Sequence, residues 1–566
     1  MRSQGRIGAG AAVINDVFHR RLLALLKRVI SLKKAPFEVV NANPPPRILV
    51  VTPEITYLPE GMGNLAQRMS AKAGGLADVS ASLVQALYDQ GADVHVALPN
   101  YRRMFHLDVA SVFNNEYEKV SRSLPEQRIH LAEDRVFYHR SSVYGAENHL
   151  IALAFQREVI NHTIPQVRPD LIHCNDWMTG LIPAVARRHG IPCLFTVHNI
   201  HSEHQTLAQI EDRGIDAADF WQHLFYRRQP HSYEESRGNN PVDLLASGIF
   251  SADHVNTVSP KFLEEVVGGC HGFIPAPIRN ELRSKWHAGK ASGILNAPDA
   301  EFDPQSDPCL AHSYGPDDHV EGKRANKVEF QKRLGLKVDP DAPLFFWPSR
   351  LDPVQKGCQL LTDILYRVLA DYASRGLQVA VVASGSYQAH FHRIADMHGI
   401  RDRLAVRDFN EDLSHLGYAA SDFIFMPSSF EPCGLPQMIA PKYGSLTIAH
   451  DTGGLHDTVE QLEIEGDQGN GFLFNVFDAT GLRWAIDQAM HFHRLPADVR
   501  AKHLARVMRE STQRFNHEAT AAAYIRRYEE MLGRNVTCEV NGCPEEKGEE
   551  EVAELKKSTV AYKTKA

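Results

Sequence analysis

The stretch "DFIFMPSSFEPCGLPQMIA", residues 422–440, is the key to the architecture. Asp422-Phe-Ile-Phe-Met-Pro427 reads as a short buried strand. Its end runs into a loop carrying Glu431, Cys433 and the flexible Gly434. Pro436 then suits the first turn of a helix that continues Gln437-Met-Ile-Ala. A strand–loop–helix unit of this kind aims free backbone N–H groups out of the sheet, an arrangement that receives anions such as phosphate. A carboxylate beside an anion site is electrostatically costly, so Glu431 is expected to face something neutral and rich in hydroxyls. The plainer reading of the same residue is a capping glutamate in a surface loop.

Outward from this unit, the chain alternates β-rich runs with helical patterns, the signature of doubly wound parallel sheets. The first half holds "RILVVTPE" (47–54), "DVHVALP" (93–99), "DLIHCND" (170–176), "CLFTVHN" (193–199) and "HVNTVSP" (254–260). The second half holds "PLFFWPSR" (343–350), "QVAVVASG" (378–385), "DFIFMPSS" (422–429) and "SLTIAHD" (445–451). Polar residues gather where the runs end: Asp176, His198, Asn199, Arg350, Glu431 and the Thr452-Gly453-Gly454 turn. Ligands of open α/β sheets bind outside the carboxyl ends of the strands, so two such sheets would enclose a ligand between them. The expected fold class is α/β, with two Rossmann-like parallel-sheet domains facing across a cleft.

The length, 566 residues, exceeds what one core supports. The net charge of −8 argues against a general nucleic-acid binder. Eight scattered cysteines, several inside strand-like runs, fit buried thiols of a reducing compartment better than a disulfide framework. No apolar run approaches membrane-spanning length. Up to Lys34 there are eight Lys/Arg and a single acid, Asp16, a composition that fits a transit peptide, a membrane-surface helix or a docking extension. The expected location is the cytoplasm, or a plastid if residues 1–45 are a transit peptide. The expected domains are the basic extension 1–45, a first Rossmann-like domain 46–292 and a second, 293–510. A C-terminal helix, 511–534, would pack back toward the first domain, ahead of a charged tail, 535–566, expected to be disordered.

Three features share one chemistry. "KAGGLADV" (72–79) sets Lys72 before Gly74 and Gly75, a pair that lets backbone approach phosphate closely, although the spacing is not that of a Walker loop. "SRLDPVQKG" (349–357) places Arg350 and Lys356 across a loop, a planar fork and a point charge suited to a diphosphate. "DTGGLHDTV" (451–459) supplies another strand–Gly-Gly–helix opening. Each motif alone could serve packing; together, at strand ends, they point to phosphate.

These residues resemble the bacterial and plant glycogen/starch synthases, retaining glucosyltransferases with the GT-B fold, and the matches run in family order over about residues 47–532. "HCNDWMTGL" (173–181), "FTVHNI" (195–200), "NTVSP" (256–260) and "SSFEPCGLPQM" (428–438) carry the resemblance, together with the three motifs above. It implies a nucleotide-sugar donor, ADP-glucose or another nucleotide sugar, held mainly by the second (donor) domain, and an α-glucan acceptor held mainly by the first (acceptor) domain. Lys72, Arg350 and Lys356 would hold the diphosphate, and Glu431 would accept hydrogen bonds from glucose hydroxyls. Asp176 and His198 would line the sugar pocket, with the His198 carbonyl facing the anomeric carbon. Phe409 would stack on adenine. Gly74, Gly75, Asn199, Cys433, Gly434, Leu435, Thr452, Gly453 and Gly454 would complete the donor site. No metal is expected, because the one Asp-x-Asp, "DPD" at 339–341, precedes a strand in a surface loop. Arg350 and Lys356, both in loops, are expected to matter to turnover far more than to stability.

The chain departs from the family at Ala73, Ser429, Pro298 and Pro436, at "IHSEHQ" (200–205), and in an extra segment, 55–71, on the acceptor side. Two alternatives therefore stay open: a related GT-B transferase with another sugar or acceptor, and a catalytically silent glucan-binding homologue.

Overall fold

The computed structural model describes residues 45–537 apart from 64–65, 67–68, 74, 106–127 and 146. The basic extension, the tail with Cys538 and Cys543, and Gly74 lie outside the described residues. From Pro45 to Thr537 the described residues form one compact unit.

That unit is built on two parallel sheets. In the first, β1 (Arg47–Val51), β2 (Asp93–Pro99), β3 (Ile129–Ala132), β4 (Leu171–Asn175) and β5 (Cys193–Val197) are joined by later strands. After a small antiparallel pair, β6 (His204–Gln205) and β7 (Val242–Asp243), come β8 (His254–Thr257) and β9 (Ala291–Gly293). The seven-strand order is β3-β2-β1-β4-β5-β8-β9, parallel throughout. The second sheet has β10 (Leu344–Trp347), β11 (Gln378–Val382), β12 (Leu404–Arg407), β13 (Phe423–Met426), β14 (Leu446–His450) and β15 (Gly471–Phe474). Its six-strand order is β12-β11-β10-β13-β14-β15, again parallel. Helices cover both faces of such sheets, which is why the central strands read as unbroken apolar runs rather than alternating ones. Four successive side chains of β1, Ile48, Leu49, Val50 and Val51, are fully buried, and so are Val379, Ala380, Val381 and Val382 of β11.

In each sheet the strand order reverses at one place, between β1 and β4 in the first and between β10 and β13 in the second. Connections leave such neighbours in opposite directions, so a crevice opens above their carboxyl ends. The polar residues singled out in the sequence stand around these two places.

The chain crosses between the lobes twice. After β9 it passes through residues 294–299. It returns after the helix Ala497–Arg514, where Asn516 caps the helix His517–Leu532 through the Ala519 amide (2.9 Å). The two crossings touch, with the Thr520 hydroxyl donating to the Leu295 carbonyl at 3.0 Å. The last helix is anchored in the first lobe by two tyrosines. The Tyr528 hydroxyl lies 2.8 Å from His173 Nδ1, and Asn256 Nδ2 donates to the Tyr524 hydroxyl at 3.0 Å.

Candidate active site

At the first reversal point, β1 runs out into Glu54, and the extra segment follows. Its ends are pinned together by an antiparallel bridge, Ile55 N to Ala71 O at 3.1 Å and Ala71 N to Ile55 O at 2.7 Å. Leu58, Met62, Ala66 and Met69 bury into the first lobe's core, so the insertion closes on itself. Glu54 therefore still meets the lysine loop: its Oε2 accepts from the Ala73 amide (2.7 Å) and its Oε1 from the Tyr144 hydroxyl (3.1 Å). Lys72 is exposed and pairs with Asp78 at 3.1 Å. Gly75 opens the helix Gly75–Asp89, and a Cβ placed on it would lie 3.5 Å from Leu435 Cδ1 of the other lobe. The two loops face each other across the cleft.

Asp176, after β4, is buried and holds φ 57° and ψ −179°, a region that residues other than glycine rarely enter. What holds it there is a set of neutral donors. Its Oδ1 accepts from the His198 amide (2.7 Å), and its Oδ2 from Asn199 Nδ2 (2.8 Å). Burial pushes the Asp176 carboxyl up to about 7, against the His198 and Asn199 amides, which lower it. His198 is neutral at pH 7, since burial pushes it down to about 3. Its Nε2 lies 3.0 Å from Asn175 Oδ1, which fixes the ring. The carboxylate of Asp176 is thus engaged by the His198–Asn199 turn rather than left open to the cleft.

The second reversal point is charged. Lys356 Nζ meets Glu431 Oε2 at 2.5 Å, both side chains being largely buried. The Ser428 hydroxyl donates to the same oxygen at 3.0 Å. Arg350 is exposed, and its guanidinium donates to Gln355 Oε1 (3.0 Å). Ser429 has a structural reason here: its amide and hydroxyl donate to the Gln355 carbonyl at 2.8 and 3.2 Å, tying the glutamate loop to the lysine loop. Gly357 is required, because its φ is +70° and a Cβ would sit 1.9 Å from the Pro427 carbonyl oxygen. The expectation that Arg350 and Lys356 matter to turnover far more than to stability meets a buried ion pair at Lys356. A buried ion pair broken on one side leaves an uncompensated charge.

The helix after Gly434 begins at Pro436, with Leu435 as its cap residue and φ +75° at Gly434. Cys433 is buried beside Val258, Met438 and Phe515, and burial pushes its thiol up to about 12, so it is an inert packing residue. Phe409 is 58% exposed, an open aromatic face on the loop before the helix Glu411–Ala420.

The Thr452-Gly453-Gly454 opening departs from the expectation of free donors for phosphate, because a carboxylate of the other lobe already occupies it. Glu265 Oε1 accepts from the Gly453 amide (3.0 Å) and Glu265 Oε2 from the Thr452 hydroxyl (3.1 Å), while the Gly454 amide donates to the Glu431 carbonyl (2.9 Å). Burial would raise the Glu265 carboxyl, but His271, the Gly453 amide and Thr452 hold it below its usual value. The exchange is reciprocal. Asp457, from the Gly453 helix, accepts from the Ser259 hydroxyl (2.5 Å) and the Lys261 amide (3.1 Å) at the start of the helix Pro260–Gly268. Each helix start has unpaired N–H groups that attract an anion, and the two lobes satisfy each other's.

Sequence reasoning missed Glu265, Glu54 and Tyr144 as parts of this neighbourhood. Ser259 and Asp457 lie within quoted motifs, "NTVSP" and "TGGLHDTV", but nothing in one chain says they meet. Glu265 carries no local signal at all.

Comparison with known proteins agrees with this arrangement. The family model "Starch synthase catalytic domain" matches residues 47–274, and "Glycosyl transferases group 1" matches 342–491. A glycogen synthase of Syntrophotalea carbinolica is 32% identical over 461 residues, covering 75% of this chain and 90% of that protein. A glycogen synthase of Moorella thermoacetica is 32% identical over 514 residues, covering 87% and 98%. Among solved structures, the catalytic domain of starch synthase IV from Arabidopsis thaliana, bound to ADP and acarbose, superposes with a TM-score of 0.69 at 26% identity, covering 87% of this chain and 100% of that one. With two parallel-sheet lobes in the GT-B arrangement, the chain belongs to the glycogen/starch synthase family of glycosyltransferases.

Proposed function

We propose that the protein transfers glucose, with retention of configuration, from ADP-glucose to the non-reducing end of an α-1,4-glucan. The observation that carries this reading is the facing of the two reversal points. The Lys356–Glu431 pair and Arg350 stand at one, the lysine loop and His198 at the other, and Gly75 approaches Leu435 between them. The relatives named above support a glucan acceptor, and the ADP in the starch synthase IV structure supports an adenine nucleotide. Exposed Phe409 is then available to stack on the base.

In this reading Arg350, Lys356 and Lys72 hold the diphosphate. The bond between the anomeric carbon and the phosphate oxygen breaks, and its electrons leave with ADP. Positive charge there is worth most as the bond breaks, because the nucleotide gains charge while the sugar becomes cation-like. The acceptor 4-hydroxyl attacks from the face the phosphate leaves, and its proton goes to the departing phosphate oxygen. Glu431 accepts from sugar hydroxyls. Asp176 acts as a positioning residue, holding the turn that presents the His198 carbonyl. No helix among the described residues is long and apolar enough to cross a membrane. The described cysteines are all free thiols, which fits the cytoplasm or another reducing compartment.

A panel of ADP-, UDP- and GDP-glucose, read as nucleotide release with and without glycogen, tests the proposal. Glycogen-dependent release of ADP is the expected result. Release from another donor alone would reassign the nucleotide, and no release from any donor would leave a silent glucan-binding homologue.

A further inference from the structure

A second cluster of reactive side chains lies in the donor lobe, outside the residues assigned to the transfer. Asp307, Cys309 and His415 bring one ligand atom each within 4.8 Å of one another, the only such group of metal-ligating type among the described residues. Two short segments build it. Asp307 and Cys309 sit two apart in the loop that leads from the first interlobe crossing. Asp412 and His415 sit three apart on the helix Glu411–Ala420, a spacing that puts both on one face. His415 Nδ1 lies 2.8 Å from Asp307 Oδ2, and Cys309 Sγ lies 3.5 Å from Asp412 Oδ1. Asp307 and His415 are buried, Cys309 is partly exposed and Asp412 is exposed, so one side of the cluster is open to an entering ion.

We propose that Asp307, Cys309, Asp412 and His415 form a four-ligand site for a zinc-class divalent cation. The donor set decides the class: a thiolate and an imidazole with two carboxylates suit zinc, whereas magnesium and calcium take oxygen ligands alone. Zinc bonds of about 2.0–2.3 Å set neighbouring donors about 3.3–3.8 Å apart in a tetrahedron. The Cys309–Asp412 separation already matches that spacing and the Asp307–His415 contact has to open by about half an ångström, while Cys309 has to draw in toward the other two donors, now within 4.8 Å, and the exposed Asp412 side chain has to swing toward them. Binding releases the Cys309 thiol proton, and His415 coordinates through the neutral ring. The Tyr443 hydroxyl, 2.6 Å from Asp307 Oδ2, and the Cys309 amide, 2.9 Å from Asp307 Oδ1, remain as outer-sphere donors that orient the carboxylate. The ion would staple the crossing loop to the helix that follows Phe409, and it takes no part in the sugar transfer.

The test uses the full chain carrying Cys538→Ser and Cys543→Ser, so that the tail thiols cannot bind. Titration with Co²⁺ is followed by thiolate-to-cobalt absorption in the near ultraviolet and tetrahedral bands in the visible, and Zn²⁺ affinity is measured by competition with a chromophoric chelator. The expected result is one tetrahedral site with a thiolate band that Zn²⁺ displaces. Cys309→Ala should abolish the band, and Asp412→Asn, at an exposed position, should weaken Zn²⁺ binding by about tenfold or more. Cys270→Ala, at another exposed thiol, should change neither. A thiolate band that survives Cys309→Ala in folded protein, or no tetrahedral cobalt spectrum at saturation, overturns the proposal.

Discussion

Two carboxylates stand at the mouths of the two sheets, and they are stabilised by opposite means. Glu431, in the second lobe, is matched by the Lys356 ammonium at 2.5 Å. Asp176, in the first, is buried among neutral donors, the His198 amide and the Asn199 side chain, and its carboxyl is pushed up to about 7. In the function proposed above, the contrast follows what each lobe would hold: a cation that can turn from a carboxylate to a diphosphate suits a lobe that takes the charged donor, and a neutral, rigid turn suits one that meets a sugar and a glucan. The first mouth is set by backbone geometry, the second by charge.

The largest effect should come from breaking the charged mouth. Lys356→Ala and Arg350→Ala should each lower kcat by about 10²–10³, the usual loss for one group that stabilises charge in the transition state. They should part company in stability. Lys356→Ala strands Glu431 and should cost about 3–5 kcal/mol, whereas Arg350→Ala removes an exposed side chain and should leave the denaturation midpoint nearly unchanged. Equal midpoints for the two variants would show that the Lys356–Glu431 pair contributes nothing to the fold.

The neutral mouth is probed by pH. A carboxyl raised in the folded state contributes stability that is fully present below its unfolded value and is lost as pH rises through its folded value. For Asp176 that loss runs from the ordinary carboxylate range up to about 7. The Tm of the wild type relative to Asp176→Asn should therefore fall over that window and stay level above it. A constant difference from about pH 4 to 8 would mean that Asp176 titrates as an exposed acid does.

A smaller effect is expected at the seam joining the two lobes. Each carboxylate cap there contributes about 1 kcal/mol, so Glu265→Gln with Asp457→Asn should let the lobes swing further about residues 294–299 and 515–516. Small-angle scattering should show a larger radius of gyration without nucleotide and a larger contraction with ADP. Profiles identical to the wild type in both states would place the hinge elsewhere.

The smallest effect belongs to Pro436. Threonine there would restore a backbone N–H at the start of the helix, where a charge-assisted bond is worth roughly 1.5–3 kcal/mol, partly offset by the lost rigidity of proline. Pro436→Thr should tighten ADP binding several-fold by calorimetry. Equal affinities would mean that the 436 amide does not point at phosphate and that the proline serves only as a helix start.

Much of the fold could be read from local pattern because central parallel strands are buried on both faces and so stand out as apolar runs. All nine runs named from the sequence are strands. Those that escaped it have a physical reason. β3, β9, β12 and β15 are the edges of the two sheets, where only one neighbouring strand constrains the sequence. β9, Ala291–Gly293, is a half-exposed run of small residues, and β12, Leu404–Arg407, ends in an exposed arginine. The pair β6–β7 is only two residues a side. Of the candidate site, the motifs bring Arg350, Lys356 and Glu431 together because each follows a strand that flanks the reversal point. What the sequence does not show at Thr452 and Gly453 is their present partner, since a helix start looks the same whether its donors await a ligand or already hold Glu265.

Local pattern along the chain was enough to specify the two parallel sheets, the positions of most strand ends and the residue types gathered there, because apolar run length and turn residues act over a few neighbours. Which groups remain available at those ends was fixed only by folding. Glu265 reaches the Gly453 amide across 188 residues, Lys356 reaches Glu431 across 75, and Asp307 reaches His415 across 108. Hydrogen bonds and ion pairs depend on distances of a few ångströms between segments far apart in the chain, and no local pattern fixes those distances.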